Sequence, residues 1–192
     1  MDFKRYFVII LLGLLPLISF SQSGEGNIWY FGQNAGLDFN SGAPVALTNG
    51  QLNTQEGCAT ICDLTGALLF YTDGITVWNA NHVPMSNSLP GSPGGALKGD
   101  PSATQSGVIV PQPGSNTIYF IFTVDNNYGT YGCQYSVVDM SMNGGMGNVV
   151  LAQKNILLFT PSAEKITSVH HANGQSVWVI THPWNSGTFF SY

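Results

Sequence analysis

The sequence predicts an all-β protein, read as a partial β-propeller of antiparallel strands, with about four blades of which the first and last are incomplete. A β-sandwich is the alternative architecture. Three observations carry this reading. The chain of 192 residues holds 23 Gly, is 12% aromatic and is only 8% charged, which suits short strands and many turns rather than long surface helices. Short β-branched and aromatic runs are punctuated by Asp-Gly, Thr-Gly and Asn-Gly, which are hairpin signals. One unit of strand, polar turn and aromatic strand recurs along the chain.

The first residues stand apart from this pattern. Lys4 and Arg5 precede an apolar run from Tyr6 to Phe20, and Ser19-Phe20-Ser21 puts small residues where a signal peptidase reads them. Residues 1–21 are therefore read as a signal peptide cut before Gln22, and residues 22–192 as the mature domain. No Cys follows the apolar run to make a lipoprotein anchor. No later stretch is long enough to span a bilayer, so the mature chain is expected to have no stable membrane span.

Ile28–Phe31 is a predicted strand broken at Gly32, Leu37–Phe39 is closed by Asn40-Ser41-Gly42, and Pro44–Leu47 ends at Asn49-Gly50. Ala59–Asp63, Ala67–Thr72 and Thr76–Asn79 follow, joined by Asp63-Leu64-Thr65-Gly66 and by Asp73-Gly74. Pro84–Ser106 is rich in Ser, Pro and Gly and reads as a long loop, either functional or a mobile surface excursion. Gly107–Val110, Thr117–Val124 and Tyr131–Met140 are strands, and Val149–Leu158 supplies one or two more. Lys165–His170 and Ser176–Thr181 flank an Asn173-Gly174 turn, and Thr188–Tyr192 begins a further strand.

The repeat is visible in ATICDLTGALLFYTDG from Ala59, GVIVPQPGSNTIYFIFTVD from Gly107 and TSVHHANGQSVWVITH from Thr167. The matching threonines, Thr72, Thr123 and Thr181, lie 51 and 58 residues apart. That period is in the range of propeller blades, and one blade must stack on neighbours to bury its faces. NIWYFGQNAGLDF from Asn27 looks like the aromatic strand and its successor without the strand before. With incomplete first and last blades, residues 22–192 are expected to be an incomplete domain, truncated at its C-terminal side. Missing blades or another subunit would then cover the open edge.

Charge and chemistry narrow the function. After residue 21, nine acids face three lysines and no arginine, a net charge of −6. This excludes the basic patch that nucleic-acid binding needs. Cys58, Cys62 and Cys133 read as small buried apolar residues, with a bridge from Cys133 to one of the others as the alternative in an oxidising compartment. His170 and His171 are neighbours on a predicted strand and point to opposite faces, so they do not chelate one ion; His82 and His182 stand alone. Asp63, Asp73, Asp125 and Asp139 fall at strand ends, where a carboxylate more often forms a turn than a catalytic pair. Asn143–Asn148 has the glycines of a calcium loop but lacks its Asp ligands. No cofactor, metal or catalytic motif emerges. Trp29, Trp78 and Trp178 lie in repeat strands and read as blade packing. Trp184, in the loop Pro183–Gly187, is the candidate for stacking on a ligand.

The ordered motifs NIWYFG at Asn27, AGLDFN at Ala35, GALLFYTDGITVWN at Gly66, TQSGVIVPQPGS at Thr104, YSVVDM at Tyr135 and EKITSVHHANG at Glu164 resemble one group. It is the N-terminal region of large secreted surface proteins of Bacteroidota, described as gliding-motility-associated or PKD-domain-containing and exported by the type IX system. The resemblance implies a propeller-like domain followed by PKD-type modules and a C-terminal sorting domain. It brings no catalytic residues. The expected function is a secreted or outer-cell-surface, non-enzymatic module for adhesion or recognition, with an extracellular glycan or a cell-surface protein as partner. The alternative is a propeller hydrolase or lyase acting on extracellular polysaccharide, which requires Asp63, Asp73 and Asp125 to cluster. A weaker third reading is a periplasmic propeller dehydrogenase, which would need a cofactor site that the sequence does not offer.

Overall fold

The computed structural model describes residues 24–192; the signal peptide assigned to residues 1–21 lies outside them. The described chain is all-β, with strands in four antiparallel sheets and helix only as three-residue 3₁₀ turns. Sheet 1 is β1 (Ile28–Phe31), β2 (Ala35–Asp38) and β3 (Val45–Leu47). Sheet 2 is β4 (Ala59–Cys62), β5 (Leu68–Thr72) and β6 (Val77–Asn79). Sheet 3 contains β7 (Gly107–Pro111), β8 (Ile118–Val124) and β9 (Cys133–Asp139). Its outer edge is shared by β10 (Asn148–Val149) and β11 (Ile156–Phe159), which pair with successive parts of β9. Sheet 4 is β12 (Ser162–His170), β13 (Val177–Pro183) and β14 (Phe190–Ser191). Every sheet is built from strands consecutive in sequence, as hairpin-forming turns demand.

The sheets stack in chain order, and a separate apolar cluster fills each gap. Tyr30, Leu52, Tyr71 and Trp78 lie between sheets 1 and 2. Ile61, Phe70, Val77, Ile121 and Val138 lie between sheets 2 and 3, with Met85 and Leu97 from the long loop. Val110, Phe122, Val124, Cys133, Ile166 and Val179 lie between sheets 3 and 4. Strand alternation explains this division, because successive side chains leave opposite faces. Phe70 enters one cluster and Tyr71 the next; Ile121 and Phe122 do the same one sheet later. A strand buried on both faces has no polar side, which is why TIYFIFTV reads as a continuous apolar run.

The leading strands β4, β7 and β12 lie side by side. β1 joins this row next to β4, where the Tyr30 N–H donates to Thr60 Oγ1 at 2.9 Å. The likeness of Asn27–Phe39 to the second and third strands of the repeat is thus not matched by position. β1 takes the leading place because its one buried ring, Tyr30, stacks on Tyr71 at 4.6 Å.

The loop from Pro84 to Ser106 is built into the fold rather than excursive. Met85, Ser88, Leu97, Ala103 and Ser106 are buried. Lys154 ties it to sheet 3: its Nζ donates to Asn87 O (2.8 Å), Ser92 Oγ (2.9 Å) and Gly95 O (2.6 Å). Burial, and the nearby Lys98 charge, push the Lys154 pKa down, so oxygen dipoles rather than a carboxylate hold this ammonium. The loop returns at a backbone junction around Ser106, whose Oγ lies within hydrogen-bonding distance of the carbonyls of Gly57 and Asp73. Gly57, Gly74 and Gly99 pack so closely here that a Cβ on any of them would overlap backbone of Ser106 or Gly74.

This junction gives a direct test. Gly57→Ala should destabilise the fold by at least ~2 kcal/mol, because overpacked backbone must shift. Gly26→Ala, where a Cβ meets open space, should stay within ~0.5 kcal/mol of the parent. Urea midpoints of the two variants measure the difference.

Candidate functional site

Two loops at one end of sheets 3 and 4 bring exposed aromatic rings together. The first, residues 125–132, joins β8 to β9; the second, residues 184–189, joins β13 to β14. Trp184 is 40% exposed and Tyr128 is 87% exposed, with ring centroids 5.8 Å apart and planes tilted by 60°. Tyr131 is also exposed, and Lys98 Nζ sits 4.5 Å over its ring. Phe189 is exposed beside the His182 ring. Rings that touch at a tilt and stay open to solvent offer apolar surface edged by polar tips.

The loops beneath these rings are tied down. Asp125 is buried, and its carboxylate accepts the N–H groups of Asn126 (2.9 Å) and Tyr131 (2.7 Å). Gly129 packs against that carboxylate too closely to carry a Cβ. Asn126 Oδ1 accepts the Tyr128 N–H at 3.0 Å, and Asn126 Nδ2 donates to Asp100 at 3.0 Å. Burial acts to raise the Asp100 pKa, but hydrogen bonds from Ser102 and Asn126 outweigh it and hold the carboxyl below its ordinary value. Glu164 spans two segments, accepting from the Asn127 N–H (3.2 Å) and from Thr104 Oγ1 (3.3 Å). The Trp184 N–H donates to Pro161 O at 3.2 Å, which fixes the start of the second loop. A surface ordered before binding loses less entropy when a partner docks.

The other sequence candidates fall elsewhere. Asp63 accepts from Thr65 N (2.8 Å), Thr65 Oγ1 (2.6 Å) and Ala67 N (3.0 Å) within its own turn. Asp73 accepts from Ile75 N and Thr76 N, and Asp139 from Ser141 N and Oγ. Asp63 and Asp73 sit at opposite ends of β5. Burial raises the Asp73 pKa, opposed by backbone N–H donors, and no second carboxylate contributes. The catalytic cluster of Asp63, Asp73 and Asp125 is therefore not formed. His82 bridges Tyr71 and Asn49, His171 accepts from Asn173 N, and His170 ends β12. Among the described residues no group of three or more His, Cys, Asp or Glu is placed to hold a metal ion. No helix among them is long and apolar enough to cross a membrane.

One expectation needs correction. Trp78 packs as expected, stacked on Tyr71 at 5.5 Å, but Trp29 and Trp178 do not pack between sheets. Both are exposed, on the outer faces of sheets 1 and 4, because no sheet lies beyond them among the described residues. The cysteines follow the main reading of small apolar residues and not the alternative bridge: Cys58, Cys62 and Cys133 are all free thiols, with Cys62 and Cys133 buried and Cys58 half-buried. Cys133 sits in the cluster between sheets 3 and 4, and Cys58 packs against the one between sheets 1 and 2. Tyr128 and Tyr131 went unrecognised in the sequence, although two tyrosines in a turn between long strands are a readable signal.

Comparison with protein-family models, with characterised proteins and with solved structures finds no match for this chain.

The thiols give a prediction. Burial pushes Cys62 up to about 11 and Cys133 up to about 12, so at pH 8 both stay protonated as well as shielded. Native protein at pH 8 should leave Cys62 and Cys133 unmodified by a thiol-disulfide reagent. All three thiols should titrate after unfolding in guanidinium, and fewer than three would reveal a bridge.

Proposed function

We propose that this chain is a non-enzymatic recognition module of a secreted or outer-cell-surface protein, built as an arc of a β-propeller, that contacts an extracellular glycan through Trp184 and Tyr128. The observation that carries the reading is the pair of exposed rings on loops pinned by buried hydrogen bonds. The low charge of the surface suits a neutral partner, and the motif likeness to Bacteroidota surface proteins agrees with export and surface display. Four sheets stacked in chain order, each built from consecutive strands with its leading strand in one row, support the propeller arc over a sandwich. The polysaccharide hydrolase or lyase reading has no observation in its favour, since the carboxylates it needs are engaged in separate turns.

The outer faces of the end sheets favour a covering partner. Trp29, Phe31, Leu37 and Phe39 lie on the outer face of sheet 1, and Val169, Trp178 and Ile180 on that of sheet 4. Further sheets or another subunit would bury them, as sheets 2 and 3 are buried by their neighbours.

Trp184→Ala and Tyr128→Ala should each weaken glycan binding by roughly 3- to 10-fold, the value of an aromatic contact, with the melting temperature unchanged. Binding to a panel of neutral polysaccharides, read by affinity electrophoresis, measures this. Unchanged binding in both variants sinks the proposal; loss confined to a protein ligand would reassign the surface to a cell-surface protein. Separately, Trp29→Ser and Trp178→Ser should reduce concentration-dependent association of the isolated chain in light scattering. Equal association of parent and variants would show that these faces attract nothing.

A further inference from the structure

At the opposite end of the sheets, the first turn of each repeat converges on one half-open cleft of about 850 Å³. The turns are Asp63–Gly66 between β4 and β5, Pro111–Asn116 between β7 and β8, and Ala172–Gln175 between β12 and β13. The cleft continues along the leading strands, since Glu25, Pro111, His170 and Val177 also line the space against β4, β7 and β12. We propose that this cleft is a separate binding site for a small neutral saccharide of about two rings, held by the Tyr119 hydroxyl and the polar groups of the three turns.

Tyr119 is the central observation. It lines the cleft and is only 7% exposed, with its ring edge-on to Phe70 at 5.5 Å. Its hydroxyl forms no hydrogen bond among the described residues, whereas the buried phenols of Tyr30 and Tyr71 are both bonded. The ring is buried while the hydroxyl opens onto the cleft, where it is a donor and acceptor that a ligand can reach. Burial raises its pKa, with Glu25 and Asp63 adding to the effect, so it stays protonated and able to donate at neutral pH.

The lining selects the ligand class. Asp63, Gln112, Asn116 and Gln175 offer carboxylate and amide groups, the partners that sugar hydroxyls pair with. Leu64, Pro111, Pro113 and Val177 supply apolar patches for the C–H faces of a ring. Among the described residues no Lys or Arg lines the cleft, and the Asp63 carboxylate stands at its rim, so uronic acids and sulfated sugars are disfavoured. The hydrogen bonds that Asp63 takes from Thr65 and Ala67 all go to Oδ1, and hold the carboxylate in place at the rim. The volume lies within the ordinary range of small-ligand pockets. The site is independent of the aromatic loops, which lie at the other end of β8 and β13.

The test is titration of the full chain with cellobiose, maltose and digalacturonate, followed by calorimetry and by amide chemical shifts. Cellobiose or maltose should bind with shifts confined to residues 63–66, 111–119 and 170–177, and digalacturonate should not bind. Tyr119→Phe keeps the contact with Phe70 and should weaken binding roughly 10-fold with an unchanged melting temperature. Gln175→Ala, on an exposed turn, should weaken it by a smaller factor. No saturable binding with a dissociation constant below about 10 mM would overturn the proposal. So would preference for digalacturonate, or shifts at Tyr128 and Trp184 instead of the turns. That last result would move the saccharide to the aromatic loops and leave the functional reading intact.

Discussion

Burial of sheets 2 and 3 on both faces is the constraint from which the rest of the structure follows. Phe70 and Tyr71 are adjacent in sequence yet enter different apolar clusters, and Ile121 and Phe122 repeat this in the next sheet. Each such side chain contributes on the order of 1.5–3 kcal/mol when fully buried. No sheet of this kind can be stable alone, so the sheets must stack, and they stack in the order the chain makes them. The end sheets then have only one covered face. Their exposed tryptophans, Trp29 and Trp178, are a consequence of position and not of composition.

Stacking also sorts the turns. All first turns of the repeat fall at one end and all second turns at the other, because antiparallel strands reverse direction at each hairpin. At the first end the turns frame a cleft floored by Tyr119. At the second, the Asp73-Gly74 turn stays tight because Ser106 and Gly99 close on it, while sheets 3 and 4 carry longer loops with Tyr128 and Trp184. The acidic residues are spent on this architecture. Asp63, Asp73, Asp125 and Asp139 each accept backbone N–H groups of their own turn, and Glu164 joins loops from different parts of the chain. A protein poor in charge thus uses its carboxylates as fixed acceptors for backbone that no sheet satisfies.

Much of this was legible in the residues. β1 was read to the residue, and β5, β7 and β8 to within one, because β-branched and aromatic runs meet Gly, Asp and Asn at their ends. The turn role of the aspartates was legible for the same local reason. The leading position of β1 was not, since likeness to a repeat strand says nothing of which neighbour that strand will have. Nor was the anchoring of the long loop, which depends on Lys154, some sixty residues beyond the oxygens it binds. Of the aromatic surface, Trp184 stood out as a tryptophan in a loop, but its partner Tyr128 comes from another sheet.

The sequence by itself determined the all-β class, the boundaries of β1, β5, β7 and β8 to within a residue, the low and acidic charge, and the recurrence of one hairpin unit. These are local properties, set by side-chain alternation and by the few residues that tolerate a tight turn. Only the tertiary structure decided which faces are covered, which rings meet, that the thiols stay apart, and that three turns share one cleft. Those outcomes depend on contacts between residues some forty or more positions apart, and packing, not local propensity, selects them.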